Sequence, residues 1–160
     1  MIEFLPIEYA KNPFEQIDNV PVQGAGISKD IGELILNEKY MLGLDDLNGF
    51  SHIYIVFHIH KSEGYELKMK PFLDNEHKGI FATRSPRRPN AIGLSIIEIE
   101  RIERIEANRI FVRGIDLLNG TPILDIKPYI QSFDNIKNTR DGWYERGLDP
   151  LTVLSDKRFT

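Results

Sequence analysis

Apolar residues in this chain fall in short runs bounded by turn formers, a spacing that predicts strands rather than helices. Six segments carry the pattern: Ile2 to Ile7, Gly32 to Leu36, Ile53 to Ile59, Leu94 to Ile102, Arg109 to Ile115 and Pro122 to Ile126. Each is rich in β-branched or aromatic residues. In Ser95-Ile96-Ile97-Glu98-Ile99-Glu100-Arg101 the alternation sends Ile97 and Ile99 to one face and Glu98 and Glu100 to the other, as in a half-exposed strand. The unbroken run Ile53 to Phe57 predicts a strand buried on both faces. Glu106-Ala107-Asn108 is short enough for a hairpin connection, and Asn119-Gly120 carries the type I′ turn signal, so antiparallel pairing is implied. Helical signal is confined to a turn or two around Leu42 to Leu47 and a weak stretch near the C-terminus. With no internal repeat or low-complexity linker, the economical architecture is mainly β: a single-domain antiparallel β-barrel with short helices, spanning 1–160.

Composition narrows the chemistry. The chain has no cysteine, which removes disulfide frameworks, thiolate metal sites and cysteine nucleophiles. Its formal net charge of -4 argues against coating nucleic acid by charge alone. The first residues, Met1-Ile2-Glu3-Phe4-Leu5-Pro6, lack the basic-then-apolar order of a targeting signal, and no apolar run approaches the roughly 18 residues of a membrane span. A cytoplasmic protein with no membrane partner is expected.

Against that acidic background one segment stands apart. From Gly79 to Ile97 there is no Asp or Glu, yet Arg84, Arg87 and Arg88 fall there, just after Lys78. Pro86 and Pro89 fix one dihedral each and bias Ser85 and Arg88 to extended backbone, so the loop is pre-shaped. Three arginines on an exposed turn can be plain solvated surface. The sharper alternative is that Arg84 grips a carboxylate or phosphate, because a guanidinium fork matches both and never loses its charge. A second constellation, Asp116-Leu117-Leu118-Asn119-Gly120-Thr121-Pro122-Ile123-Leu124-Asp125-Ile126-Lys127-Pro128-Tyr129, packs polar groups around a tight turn. It is either a hairpin with solvated ends or a site in which turn amides and the Thr121 hydroxyl hold a polar ligand, with Asp116 and Asp125 as acceptors. His58 and His60 share a strand face at period two, but without a third ligand at a persuasive spacing no metal site is expected. No dinucleotide glycine turn, phosphate loop or nucleophile elbow is present.

Taken together, Gly79-Ile80-Phe81-Ala82-Thr83-Arg84-Ser85-Pro86-Arg87-Arg88-Pro89-Asn90-Ala91-Ile92-Gly93-Leu94 and the Asp116 to Tyr129 segment resemble the TsaA/TrmO-like family of S-adenosylmethionine-dependent methyltransferases. Gly49-Phe50-Ser51-His52 with the following strand, and Pro6-Ile7 through Pro21-Val22-Gln23, are similar to further family segments. The resemblance covers about 2–133, leaving 134–160 as a C-terminal extension. It implies a small β-barrel, usually homodimeric, that binds S-adenosylmethionine outside the doubly wound scheme. It also implies N6-methylation of threonylcarbamoyladenosine at position 37 of a tRNA that reads threonine codons. Carried onto matching positions, cofactor contacts fall to Pro21, Val22, Gln23, His60, Arg84, Leu94, Asn119, Gly120, Thr121 and Pro122. Arg84 would face the methionine carboxylate and Leu94 the adenine or methylene chain. Asp125 or Tyr129 would serve as the base, while Arg87, Arg88 and Lys127 would meet substrate phosphate or carboxylate. The chain departs from the family pattern at Asn119, where many members have Asp, and at Ala91, where many have Pro; longer bacterial members also carry an additional C-terminal domain. The alternatives are a module that binds S-adenosylmethionine without turnover, and a methyltransferase acting on a small molecule.

Overall fold

Strands whose apolar side chains recur at period two bury one face by closing on themselves, and here the closure is complete. The computed structural model describes residues 2–16, 30–71, 74–104 and 108–146. In it β1 (Glu8–Lys11), β2 (Ile31–Leu36), β3 (His52–His58), β6 (Ile92–Glu103), β7 (Arg109–Arg113) and β8 (Pro122–Pro128) form a barrel in the order β1-β2-β7-β6-β3-β8. Every neighbouring pair is antiparallel, and β1 joins β8 through Glu8↔Ile123 and Tyr9↔Pro122. The interior is filled by Leu34, Ile53, Ile55, Ile97, Ile110, Val112, Ile115 and Ile123, each at most 1% exposed. Each such side chain contributes roughly 1.5–3 kcal/mol through burial. No helix among the described residues is long and apolar enough to cross a membrane.

Antiparallel order around the barrel decides which loops meet. The chain leaves β1, β3 and β7 at the same end from which it enters β2, β6 and β8, so the described residues that flank these strands, 12–16 and 30, 59–71 and 74–91, and 114–121, start and finish there. The connections 37–51 and 104–108 lie at the other end. Inside the long 59–91 excursion, β4 (Lys68–Met69) and β5 (Lys78–Gly79) form a separate two-stranded ribbon. Its buried Met69 and Ile80 make a small apolar cluster of their own.

Several expectations shift. The first strand is Glu8–Lys11, not Ile2 to Ile7: Pro6 has no N–H to give a ladder, and pairing starts only where the Ile7 amide reaches the Ile123 carbonyl at 2.9 Å. Ile2, Phe4 and Leu5 remain exposed. β3 is not buried on both faces; Ile53 and Ile55 point inward while Tyr54 and Val56 lie half-buried outside. Asn119-Gly120 is no hairpin turn, because β7 and β8 are not neighbours, and only Gly120 takes a positive φ, +74°. A type I′ turn needs two. The strand expected to run from Arg109 to Ile115 stops at Arg113, before Gly114 at φ +75°. The helical signal at Leu42 resolves into 3-10 turns at Glu38–Leu44 and Leu47–Gly49, and a one-turn helix α1 (Gln131–Asp134) follows β8. The 95–101 alternation holds through Glu100, where a register shift between Ile99 and Arg101 marks a bulge.

Candidate functional site

The outer surface of β6, β3 and β8 aligns residues distant in sequence, because directly opposed side chains in antiparallel ladders share a face. Val56 pairs with Leu94 on one side and Asp125 on the other; one step along, Tyr54 pairs with Ile96 and Lys127. A third row follows as the Tyr129 amide donates to the His52 carbonyl at 3.0 Å. The register shift between Val56 and Phe57 inserts Leu124, which keeps Ile123 in the core while Asp125 faces out. Leu94 and Asp125 are therefore two strand spacings apart, about 10 Å. Leu94 is 61% exposed although it is paired with Val56 in the barrel wall.

Electrostatics differentiates the polar members. Lys127 Nζ sits 2.7 Å from Asp125 Oδ2. The Tyr54 and Tyr129 rings lie 5.7 Å apart, and desolvation, then the charge of Asp134, then Tyr129 raise the Tyr54 phenol above its ordinary value. Tyr54 therefore stays protonated at neutral pH and offers a donor. His60 does not share a strand face with His58: β3 ends at His58, and His60 lies in the turn beyond. Desolvation, helped by Lys61 and then His58, lowers its pKa, so the imidazole is neutral and keeps an acceptor nitrogen. Among the described residues no three His, Asp or Glu side chains cluster as metal ligands.

The arginine loop is built to hold one guanidinium free. After β5 the chain makes a 3-10 turn, Ile80–Ala82, and its carbonyls are bound by side chains. Thr83 Oγ1 donates to Ile80 O at 2.9 Å, Arg88 Nη1 to Thr83 O at 2.8 Å and Ile80 O at 3.2 Å, and Trp143 Nε1 to Ala82 O at 2.6 Å. Ser62 Oγ ties Pro86 O from across the loop at 3.1 Å. Arg87 Nη1 reaches Glu66 Oε1 at 3.4 Å. Arg88, expected to meet a substrate anion, gives its Nη1 to the turn's own carbonyls. Arg84 is exposed and has no hydrogen bond or ion pair among the described residues.

The turn before β8 is also committed internally. Thr121, 3% exposed, donates its hydroxyl to Leu118 O at 2.8 Å, so that hydroxyl is not presented to a ligand as the sequence suggests. Asn119 Oδ1 accepts from the Asn12 amide at 3.2 Å and its Nδ2 donates to Glu15 Oε1 at 2.8 Å, tying the turn to the segment that leads out of β1. Asp116 accepts from Ser95 Oγ at 2.8 Å. Gly120 and Pro122 stand at the same barrel end as His60 and the arginine loop; Pro21, Val22 and Gln23 lie outside the described residues. A cavity of about 500 Å³ opens elsewhere, lined by Leu36, Tyr40, Phe50 and Pro128 at the opposite end and touching Asp125 on the barrel wall. Sequence reasoning missed Ser62, which carries no motif, and gave Trp143 no role beyond the likeness of Gly142-Trp143 to the tail of short family members; both matter through the carbonyls they reach.

Residues 9–135 match the tRNA-methyltransferase O N-terminal domain family. The chain belongs to that family. It is 40% identical over 157 residues to a probable S-adenosyl-L-methionine-binding protein of Pyrococcus abyssi, covering 98% of this chain and 83% of that one. It is 37% identical over 146 residues to the human tRNA (adenine(37)-N6)-methyltransferase, covering 85% of this chain but 32% of the human protein. The crystal structure of TrmO from Pseudomonas aeruginosa superposes with a TM-score of 0.74 at 32% identity, covering 89% of this chain and 62% of that one. The chain thus spans under two thirds of the solved TrmO and about a third of the human enzyme, while matching the archaeal relative over most of its length.

Proposed function

We propose that this chain is an S-adenosylmethionine-dependent methyltransferase that modifies N6 of adenosine 37 in tRNA, with threonylcarbamoyladenosine in a threonine-codon-reading tRNA as the acceptor. The carrying observation is Arg84: in a loop where Thr83, Ser85, Arg87 and Arg88 are each engaged, its guanidinium is exposed with no partner among the described residues, at the barrel end shared by His60 and Gly120. The residues suit the cofactor. Arg84 binds the methionine carboxylate with a charge-assisted fork. Exposed Leu94 covers the adenine or methylene portion, and neutral His60 adds no positive charge beside a sulfonium. Asn119, Gly120, Thr121 and Pro122 contribute backbone, since their side-chain donors are already used or absent. Pro21, Val22 and Gln23 complete the set from outside the described residues.

When bound, S-adenosylmethionine supplies an electrophilic methyl group. The chain's own part is to position the acceptor nitrogen in line and to take its proton. Asp125 is assigned as the acceptor of the N6 proton, with Tyr129 as the alternative; both lie on the outer face that carries Leu94. Lys127, beside Asp125, and Arg87 face substrate phosphate or carboxylate. The homodimer is assigned to the outward apolar positions Ile92 and Ile96, exposed by 42% and 37%, on either side of the Leu94 cofactor contact; sedimentation of Ile96→Glu tests it. One domain over 1–160 and a cytoplasmic location complete the assignment.

Calorimetric titration with S-adenosylmethionine and its demethylated product, with ATP as control, tests the cofactor step. Saturable binding of both, lost in Arg84→Ala, is expected; a variant that binds at wild-type affinity overturns the role of Arg84. A second reading, binding without turnover, is favoured by the archaeal relative that matches over most of its length and is named for binding alone. Retained affinity without methyl transfer to unfractionated RNA selects it; transfer to a metabolite extract alone would instead select a small-molecule acceptor.

A further inference from the structure

The excursion 59–91 has a surface that the cofactor site does not use. It carries seven Lys and Arg against four Asp and Glu, in a chain whose total is -4, so positive charge is segregated onto this one connection. Not all of it is available: Lys78 is held by Asp74 and Glu76, Arg87 by Glu66, and Arg88 by turn carbonyls. Lys61, Lys68 and Lys70 are exposed, with no hydrogen bond or ion pair among the described residues. Met69 points into the small core with Ile80, and the lysines on either side of it, Lys68 in β4 and Lys70 just beyond its end, are both exposed.

Exposed aromatic side chains lie on the same connection. Phe81 is 78% exposed and Tyr65 is 59% exposed. The Ile80 amide donates to Leu67 O at 3.0 Å, which sets the Ile80–Ala82 turn beside the segment that leads into β4, where Tyr65 and Leu67 lie. Arg88 lies 5.9 Å from the Phe81 ring centroid, and the same Arg88, with Thr83 and Trp143, pins the carbonyls of the turn from which Phe81 projects. Exposing a phenylalanine to this degree while fixing its backbone from three sides has no folding benefit that the barrel needs. A fixed, exposed aromatic on a connection that also carries exposed lysines is the combination that holds unpaired nucleotides, by stacking on the ring and neutralising phosphates.

We infer that the ribbon and the turn after it, through Phe81, Tyr65, Lys68 and Lys70, form the platform that receives the unpaired loop of the RNA substrate next to the Arg84 site. The inference rests on the tRNA assignment above and adds to it the surface and the mode of contact: base stacking on a fixed ring, with phosphate contacts from the ribbon. It places recognition on the 59–91 excursion, apart from the outer barrel face where the proton acceptor is assigned.

The test uses the full chain with two probes, a synthetic RNA stem-loop and the same stem closed as a blunt duplex, titrated over a range of salt. Wild type is expected to prefer the stem-loop. Phe81→Leu, which keeps an apolar side chain but removes the stacking face, should weaken stem-loop binding roughly 5- to 100-fold and erase the preference. Lys68→Gln with Lys70→Gln should lower the salt slope by about 1 to 1.5. Both variants should bind S-adenosylmethionine as wild type does and sediment unchanged. If wild type binds the stem-loop and both variants bind it equally well, the platform lies elsewhere while the methyltransferase assignment stands. If wild type binds no RNA at low salt, the inference and the tRNA assignment fall together, with cofactor titration still reporting separately on Arg84. A variant that changes the sedimenting species marks the face as a protein contact and also overturns the inference.

Discussion

Gly93 and Phe57 face each other across the β3–β6 ladder, and the Phe57 ring occupies the space a side chain at Gly93 would need. A Cβ there would fall 2.8 Å from Cε1 and nearer still to Cε2 and Cζ. The contact lies between exposed Ile92 and Leu94, so the absence of a side chain at one residue fixes an aromatic that backs the proposed cofactor face. Gly93→Ala should displace the ring and destabilise the fold by about 1–3 kcal/mol, read as a lowered Tm. Adding Phe57→Leu should recover part of that loss. A Gly93→Ala protein with the wild-type Tm would mean that the ring swings aside freely.

Among the described residues, Glu8 is the one ionisable side chain set into the barrel core. It opposes Leu36 and Ile123, is 2% exposed, and neither carboxylate oxygen has a hydrogen-bond partner among the described residues. Desolvation raises its pKa from 4.5 to about 8. The folded chain therefore keeps a proton that the unfolded chain releases above 4.5, and stability falls as pH rises from there to about 8, by at most about 1.4 kcal/mol per pH unit. Above that window the folded state ionises too and the loss levels off. Glu8→Gln should flatten the curve and raise Tm more at pH 8 than at pH 5. Parallel Tm curves for the two proteins between those values would rule out Glu8 as the source.

Asn119 fastens the turn before β8 to Asn12 and Glu15 with opposite ends of one amide. Asn119→Asp keeps an oxygen to accept from the Asn12 amide but sets a carboxylate against Glu15. A small loss of Tm is expected at neutral pH, recovering as pH drops through the carboxylate range and weakening with added salt, because the pair is solvent-exposed. A salt-independent change would point to loss of the amide bond rather than repulsion.

Strand positions were legible wherever one face alone is buried, as in Ile97-Glu98-Ile99-Glu100, because period two then survives in the residue types. Ile53 to Phe57 misled because Tyr54 and Val56 sit on an outer face that tolerates apolar residues, so composition hid the alternation. The turn at Asn119-Gly120 was visible as a turn, but its connectivity depends on barrel order, which no local pattern encodes. The candidate site was legible in part for the same reason. Arg84, Arg87 and Arg88 look alike as a cluster, and only the carbonyls of Ile80 and Thr83 separate Arg88 from Arg84.

That separation makes the two arginines distinguishable by experiment. Arg84→Lys removes the fork from an exposed side chain with no partner among the described residues, so Tm should hold while cofactor affinity falls several-fold. Arg88→Lys places a point charge where one guanidinium nitrogen spans two carbonyls, so Tm should fall together with affinity. Trp143 gives a direct readout, since it is the sole tryptophan and its indole donates to Ala82 O in the same turn. Its emission should shift in Arg88→Lys and stay as in wild type in Arg84→Lys. Equal emission and equal Tm in both variants would mean that Arg88 does not brace the loop, and that the two residues share one role.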